Sequence, residues 1–172
     1  MTEICEKSKD GFIKRNSIRG MALGIILMEW LIELFDKKNC GPFLELRNFD
    51  WVSDIELATD DILSELKMVL SEPERIPNFQ DISKEQLVLT QDNGWKTFVF
   101  FVFNQPVIKN IEMCPLTVQA LTIIPRLQNA LYSILAPRKK IPPHRGPYKG
   151  LIRMHLALIV PRDQDQCSIT VG

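Results

Sequence analysis

The chain of 172 residues is 45% hydrophobic, which suffices for one domain with a core of its own. Lys+Arg and Asp+Glu both total 21, so whole-molecule electrostatics give no support to a nucleic-acid or anionic-membrane partner. Cys5, Cys40, Cys114 and Cys167 lack CxxC spacing and the N-terminus lacks the layout of a secretory signal, so the expectation is reduced thiols in a cytoplasmic compartment.

Residues 1–40 read as an N-terminal segment whose Met21 to Phe35 stretch forms an amphipathic helix. Glu29 and Glu33 interrupt its apolar run, which is shorter than the roughly 20 residues a spanning helix needs. Docking onto the domain is the expectation. Peripheral membrane contact through residues 21–35, aided by Lys14, Arg15 and Arg19, is the alternative.

Residues 41–172 read as the main domain. Ser53-Asp54-Ile55-Glu56 has the form of a capping box, with apolar residues at helical spacing behind it, so a helix is expected to run to about Ser71. Pro73, Pro77 and the polar run Gln80 to Gln86 predict a surface connection, and Asp92-Asn93-Gly94 predicts a turn. Lys96 to Phe103 is apolar on both faces and rich in β-formers, as in a strand buried between two layers. Pro115 opens a short helix stopped by Pro125, and Ala130 to Leu135 is the next strand. Helices first and strands afterwards give an α+β layout.

Ile141 to Val160 then concentrates both histidines and several basic residues. Period-two alternation through Leu151 to Val160 puts Arg153 and His155 on one face of a predicted strand, while His144 precedes them on a Pro- and Gly-punctuated turn. One imidazole for a metal, a guanidinium for a carboxylate and a second imidazole beside it suit an iron site that chelates an oxoacid. Each residue also has a plainer role: His144 as a surface histidine, His155 as a hydrogen-bonded core histidine, Trp95 as core. Arg153 is harder to explain so, because a buried guanidinium is costly without an anion. Arg138, Lys139, Lys140, Arg145 and Lys149 read as a solvated rim that would attract an acidic substrate or a phosphorylated lipid.

Gly94-Trp95-Lys96-Thr97-Phe98, Cys114-Pro115, Ile124-Pro125, Tyr132-Ser133-Ile134-Leu135 and Pro142-Pro143-His144-Arg145-Gly146-Pro147 leading to Arg153-Met154-His155-Leu156 form an ordered set of motifs. The chain from about Pro42 to Gly172 thereby resembles the aspartyl/asparaginyl β-hydroxylases, iron(II)- and 2-oxoglutarate-dependent dioxygenases on a double-stranded β-helix (jelly-roll, cupin-like) fold. The resemblance implies that His144 is the proximal iron ligand and catalytic centre. It also implies that Trp95, Ser133, Leu135, Arg153 and His155 line the 2-oxoglutarate site. Gly146 falls where other 2-oxoglutarate oxygenases place a metal-binding carboxylate, an acid this family does without.

Two departures from the family pattern accompany these matches. The family's second iron-binding histidine and a further basic residue for 2-oxoglutarate lie on later strands, whereas His155 is the one histidine after His144. The chain is therefore expected to be the N-terminal portion of the fold, with C-terminal strands missing, an open edge and marginal stability. Arg138-Lys139-Lys140 also replaces a turn that often contains glycine in the family.

The leading expectation is hydroxylation of an aspartyl or asparaginyl side chain or a related substrate, consuming molecular oxygen and decarboxylating 2-oxoglutarate to succinate. Hydroxylation of a lipid A acyl chain, which some bacterial members perform, is an alternative supported by the Met21 to Phe35 segment. A catalytically inactive fragment that keeps an anion pocket at Ser133, Arg153 and His155 is another. A basic-loop module for nucleic acid is opposed by the zero net charge and by the lack of a stacking-aromatic pattern.

Overall fold

The structure, a computed structural model, describes residues 43–82, 87–146, 150–162 and 167–171, together with Gly24, Leu27, Met28 and Trp30. These fall into two compact units. One holds the described residues before Glu45 and those of Arg145–Met154; the other holds those of Glu45–His144 and His155–Gly172. In the first unit Gly24, Leu27, Met28 and Trp30 are helical and exposed, while the rest of the expected Met21 to Phe35 helix lies outside the described residues. Among the described residues no helix is long and apolar enough to cross a membrane.

The second unit begins with a 3-10 turn at Leu46–Asn48, then helices α1 (Val52–Leu57) and α2 (Thr59–Leu70). The predicted single helix is thus two, broken at Ala58, with the Thr59 hydroxyl bonding back to the Glu56 carbonyl at 2.6 Å. The capping box does not form either. Ser53 lies inside the first turn of α1 and its hydroxyl donates to the Asp50 carbonyl at 3.2 Å, the local side-chain bond that competes with capping. In α2 the buried residues are Ile62, Glu65, Leu66 and Val69, a stripe at i, i+3, i+4 and i+7 that faces the core.

A 3-10 turn at Pro73–Arg75 and the short helix α3 (Phe79–Ile82) precede the sheet. Strands β1 (Trp95–Val102), β2 (Gln105–Pro106) and β3 (Ala130–Leu135) are antiparallel in the order β2-β1-β3. Phe103 and Asn104, both at positive φ, close the two-residue turn between β1 and β2. Helices α4 (Ile108–Met113) and α5 (Pro115–Leu121) lie between β2 and β3 in the chain. Helices and strands therefore interleave, correcting the expected order of helices followed by strands. The architecture is mixed helix and small antiparallel sheet, compatible with α+β.

Leu151 to Val160 forms no strand, contrary to the alternation in its sequence. Its exposure does alternate, with Met154, Leu156 and Leu158 more covered than Arg153, His155 and Ala157. Period two encodes which side chains share a face; a ladder also needs a partner strand, and none pairs with this segment among the described residues.

Directly opposed residues of an antiparallel pair share a face, so the register divides the sheet. Phe98 opposite Tyr132 faces the helices, joined by Phe100, whose ring meets Tyr132 edge-on at 4.8 Å. Behind these rings Glu65 is only 3% exposed. Its carboxylate accepts from the backbone N–H groups of Leu116 (2.9 Å) and Thr117 (2.7 Å) at the start of α5 and from the Thr117 hydroxyl (2.6 Å). With the Thr117 proton given to Glu65, the Tyr132 hydroxyl donates to Thr117 Oγ1 at 2.6 Å, and the Ile62 carbonyl lies 3.2 Å from the tyrosine oxygen. This network offsets the desolvation of a buried acid and ties α2, α5 and β3 into one register.

Candidate functional site

Trp95, Thr97 and Val99 of β1 share the opposite sheet face with Leu135, Ser133 and Leu131 of β3. Over β1 this face is closed, with Trp95 8% and Val99 8% exposed and the Phe79 ring 4.5 Å from that of Trp95. Over β3 it is open: Ser133 is exposed, and Leu131 and Leu135 are 39% and 45% exposed. The result is a half-open apolar shelf with the exposed Ser133 hydroxyl and the buried Thr97 hydroxyl near its middle.

Thr97 takes its N–H to the Pro77 carbonyl, away from β3, so Thr97 and Ser133 form a non-hydrogen-bonded pair, the geometry that brings opposed side chains closest. The Trp95 indole N–H donates to Ser133 Oγ at 3.0 Å. An indole can only donate, so the serine oxygen accepts and keeps its own proton for another acceptor. That is the state in which a serine can hold a carboxylate oxygen. The Thr97 hydroxyl is wholly buried and has no hydrogen-bond partner among the described residues.

His144 is exposed on the segment that leaves β3, and its Nδ1 lies 3.0 Å from the Pro142 carbonyl. A carbonyl only accepts, so in the neutral ring this contact puts the proton on Nδ1 and leaves the Nε2 lone pair free. Metal-binding histidines are held the same way, their second ring nitrogen donating to a carbonyl that fixes tautomer and orientation. The donor is suited to iron(II), though among the described residues no group of three or more His, Cys, Asp or Glu could hold a metal ion.

The structure therefore brings Trp95, Ser133 and Leu135 together on one face and places His144 beyond the end of β3. His155, in the same unit, is exposed and on no strand. Arg153 belongs to the other unit, where it is exposed and its guanidinium stands 3.8 Å from the point a Cβ on Gly146 would occupy. The inward-facing positions expected for Arg153 and His155 on a strand are not what this structure shows, since the segment has no ladder to set an inner face.

The basic rim also needs revision at Lys139. Its side chain is only 10% exposed, and its ammonium donates to Asp92 Oδ1 at 2.8 Å and Thr90 Oγ1 at 3.0 Å. The same carboxylate oxygen accepts the Gly94 N–H at 2.9 Å. These bonds, led by the ammonium, hold the Asp92 carboxyl below its ordinary range. Sequence reasoning missed this clip, because a Lys in a three-residue basic run gives no local sign of its partner; the Asp92-Asn93-Gly94 turn was the only visible half.

Comparison with known proteins supplies the context for these residues. A family profile described as Aspartyl/Asparaginyl beta-hydroxylase matches residues 56–172. An ornithine lipid ester-linked acyl 2-hydroxylase of Rhizobium tropici is 41% identical over 130 residues, 76% of this chain and 46% of the relative. The chain thus spans about half the length of that relative. No solved structure matches it significantly. On the profile and the identity together, the chain belongs to the aspartyl/asparaginyl β-hydroxylase family of hydroxylases.

Proposed function

We propose that the chain carries the oxoacid shelf and proximal metal ligand of an iron(II)- and 2-oxoglutarate-dependent hydroxylase that acts on an acyl chain of a lipid. The observation that carries the metal half is the 3.0 Å contact of His144 Nδ1 with the Pro142 carbonyl, which in the neutral ring commits Nδ1 and offers Nε2, on a segment stiffened by Pro142 and Pro143. Ser133 would donate its free hydroxyl to a carboxylate of 2-oxoglutarate, while Trp95 holds that oxygen in place and Leu135 supplies an apolar wall. His155 would add a hydrogen bond to the oxoacid.

Iron(II) held by His144 would supply the oxygen-activating chemistry that the side chains lack, with molecular oxygen and 2-oxoglutarate consumed to turn a substrate C–H into C–OH and to release succinate and carbon dioxide. The protein's part is to bind, orient and exclude water. A jelly-roll domain completed by further strands is the architecture this reading requires.

The acyl-chain reading is preferred over an aspartyl or asparaginyl side chain because the Rhizobium relative, at 41% identity, is named for that activity. Succinate release in the presence of iron(II), 2-oxoglutarate and oxygen, measured with an ornithine-lipid micelle against an aspartyl or asparaginyl peptide, tests it. Stimulation by the micelle alone supports the lipid reading, and stimulation by the peptide alone overturns it. No turnover with either, from a folded chain that binds no iron, supports the inactive alternative.

A further inference from the structure

The hairpin between β1 and β2 turns on a residue poorly suited to it. Val102 pairs with Gln105, so Phe103 and Asn104 are the two central residues, at φ 47° and 61°. Positive φ at both positions is the type I′ requirement, which asparagine and glycine meet easily. Phenylalanine does not, because its Cβ crowds the backbone there, and a bulky residue at positive φ is a true outlier. Burial of the ring does not offset this cost, since Phe103 is 75% exposed.

Two hydrogen bonds hold the tip against the loop that precedes β3. Phe103 N–H donates to Asn129 Oδ1 at 3.0 Å, and Asn104 N–H donates to the Gln128 carbonyl at 2.7 Å. That loop carries another non-glycine residue in the left-handed region, Arg126 at φ 56°, whose carbonyl accepts from the Gln128 side chain at 3.2 Å. The tip is thus fixed by its surroundings, the condition under which local strain persists and points to a use outside folding. Val102 in the hairpin and Ile123 in the loop are exposed as well. The whole chain is neutral, yet residues 102–110 and 122–129 contain the exposed cations Lys109 and Arg126 and no acid. The loop enters β3 at Ala130, so the tip stands at the Leu131 end of the shelf, with Ser133 beyond.

We infer that the Phe103 tip is a membrane-docking element: its ring enters the interface of a bilayer bearing anionic lipid headgroups, and Lys109 and Arg126 are attracted to their phosphates. A phenylalanine buries only about 150–250 Å², far short of the roughly 800 Å² per partner of a standard protein interface. A bilayer accepts a single projecting ring flanked by cations without a matching surface. The choice of a bilayer as occupant rests on the lipid reading of the substrate, while the docking itself involves neither iron nor 2-oxoglutarate.

The test is co-sedimentation of the full chain with vesicles of phosphatidylcholine and phosphatidylglycerol, in the absence of iron and 2-oxoglutarate. F103N puts a residue that tolerates positive φ at the tip and removes the ring. It is expected to melt at or above the wild-type temperature while the vesicle partition coefficient falls at least threefold, a split that a purely structural role would not produce. F103W should keep the partition, and K109Q/R126Q should lower it at least threefold. Partition of F103N equal to wild type, or a wild-type chain that does not partition, overturns the inference. So does a wild-type dimer in sedimentation velocity that F103N disperses with vesicle binding unchanged, since the tip would then join two copies. Turnover stimulated by ornithine-lipid micelles, beside an F103N that partitions as wild type, overturns the docking tip alone. Turnover with the peptide alone, beside partition that depends on Phe103, overturns the lipid-substrate reading and supports the tip.

Discussion

Glu65→Ala probes the interior most severely. The carboxylate accepts three hydrogen bonds, from Leu116 N–H, Thr117 N–H and Thr117 Oγ1, at 2.6–2.9 Å. Hydrogen bonds to a charged group contribute about 1.5–3 kcal/mol each, and stranding one side of a buried polar network costs about 3–5 kcal/mol in all, since the lost contributions are not additive. Relaxation of the start of α5 toward water would recover part of this, so the expected loss is about 3–4 kcal/mol. At roughly 2–4 °C per kcal/mol for a chain of this size, the melting temperature should fall by about 6–16 °C. Tyr132→Phe removes only the hydroxyl that donates to Thr117, leaves Thr117 bonded to Glu65, and should cost about 1–2 kcal/mol. Urea denaturation of the two variants beside wild type gives both numbers. A Glu65→Ala loss below about 1 kcal/mol, or one no larger than that of Tyr132→Phe, would refute the claim that this network fixes the register of α2, α5 and β3.

Other predictions concern single groups. Thr97→Val deletes a buried hydroxyl that has no partner among the described residues, so the ligand-free protein should be unchanged or more stable by up to about 1 kcal/mol, and a clear loss in thermal melting would show a bond the structure lacks. Burial pushes the Cys114 thiol up to about 11, with the Glu65 charge adding to the shift. The stability from keeping this thiol neutral is complete below its ordinary value of 9.0 and is lost as pH rises through about 11; Cys114→Ala should flatten the stability profile across that window, and an unchanged slope would contradict the assignment. Trp95→Phe keeps the ring but removes the indole donor, freeing Ser133 to turn; 2-oxoglutarate affinity should fall several-fold, as for Ser133→Ala, and the double variant should be little worse than either alone.

Local chemistry explains which elements could be read from sequence. β3 runs from Ala130 to Leu135 as predicted, and β1 is displaced by only one residue at each end, because β-formers in a continuous run leave few alternatives. Pro115 opens α5 as expected, since its missing N–H and fixed φ suit a first turn. The break at Ala58 was not legible: no Gly or Pro marks it, and the Thr59 hydroxyl bond to the Glu56 carbonyl that accompanies it leaves no trace in the spacing. Helix α4 was missed because six residues, Ile108–Met113, are too short to display a period. At the site, Trp95, Ser133 and Leu135 were grouped only by the family resemblance, and their common face follows from the β1–β3 register, which alternation within either strand does not fix. The indole-to-serine bond, the His144 tautomer and the Lys139 clip depend on distances that no spacing rule contains.

The central claim, that His144 offers a usable metal donor beside an oxoacid shelf, is tested most directly by anaerobic addition of iron(II) and then 2-oxoglutarate to the purified chain, following the visible charge-transfer band of the chelated metal. The account predicts a band that H144A abolishes and that Ser133→Ala shifts to higher 2-oxoglutarate concentration. No band from a folded chain, or a band that H144A leaves intact, would contradict it.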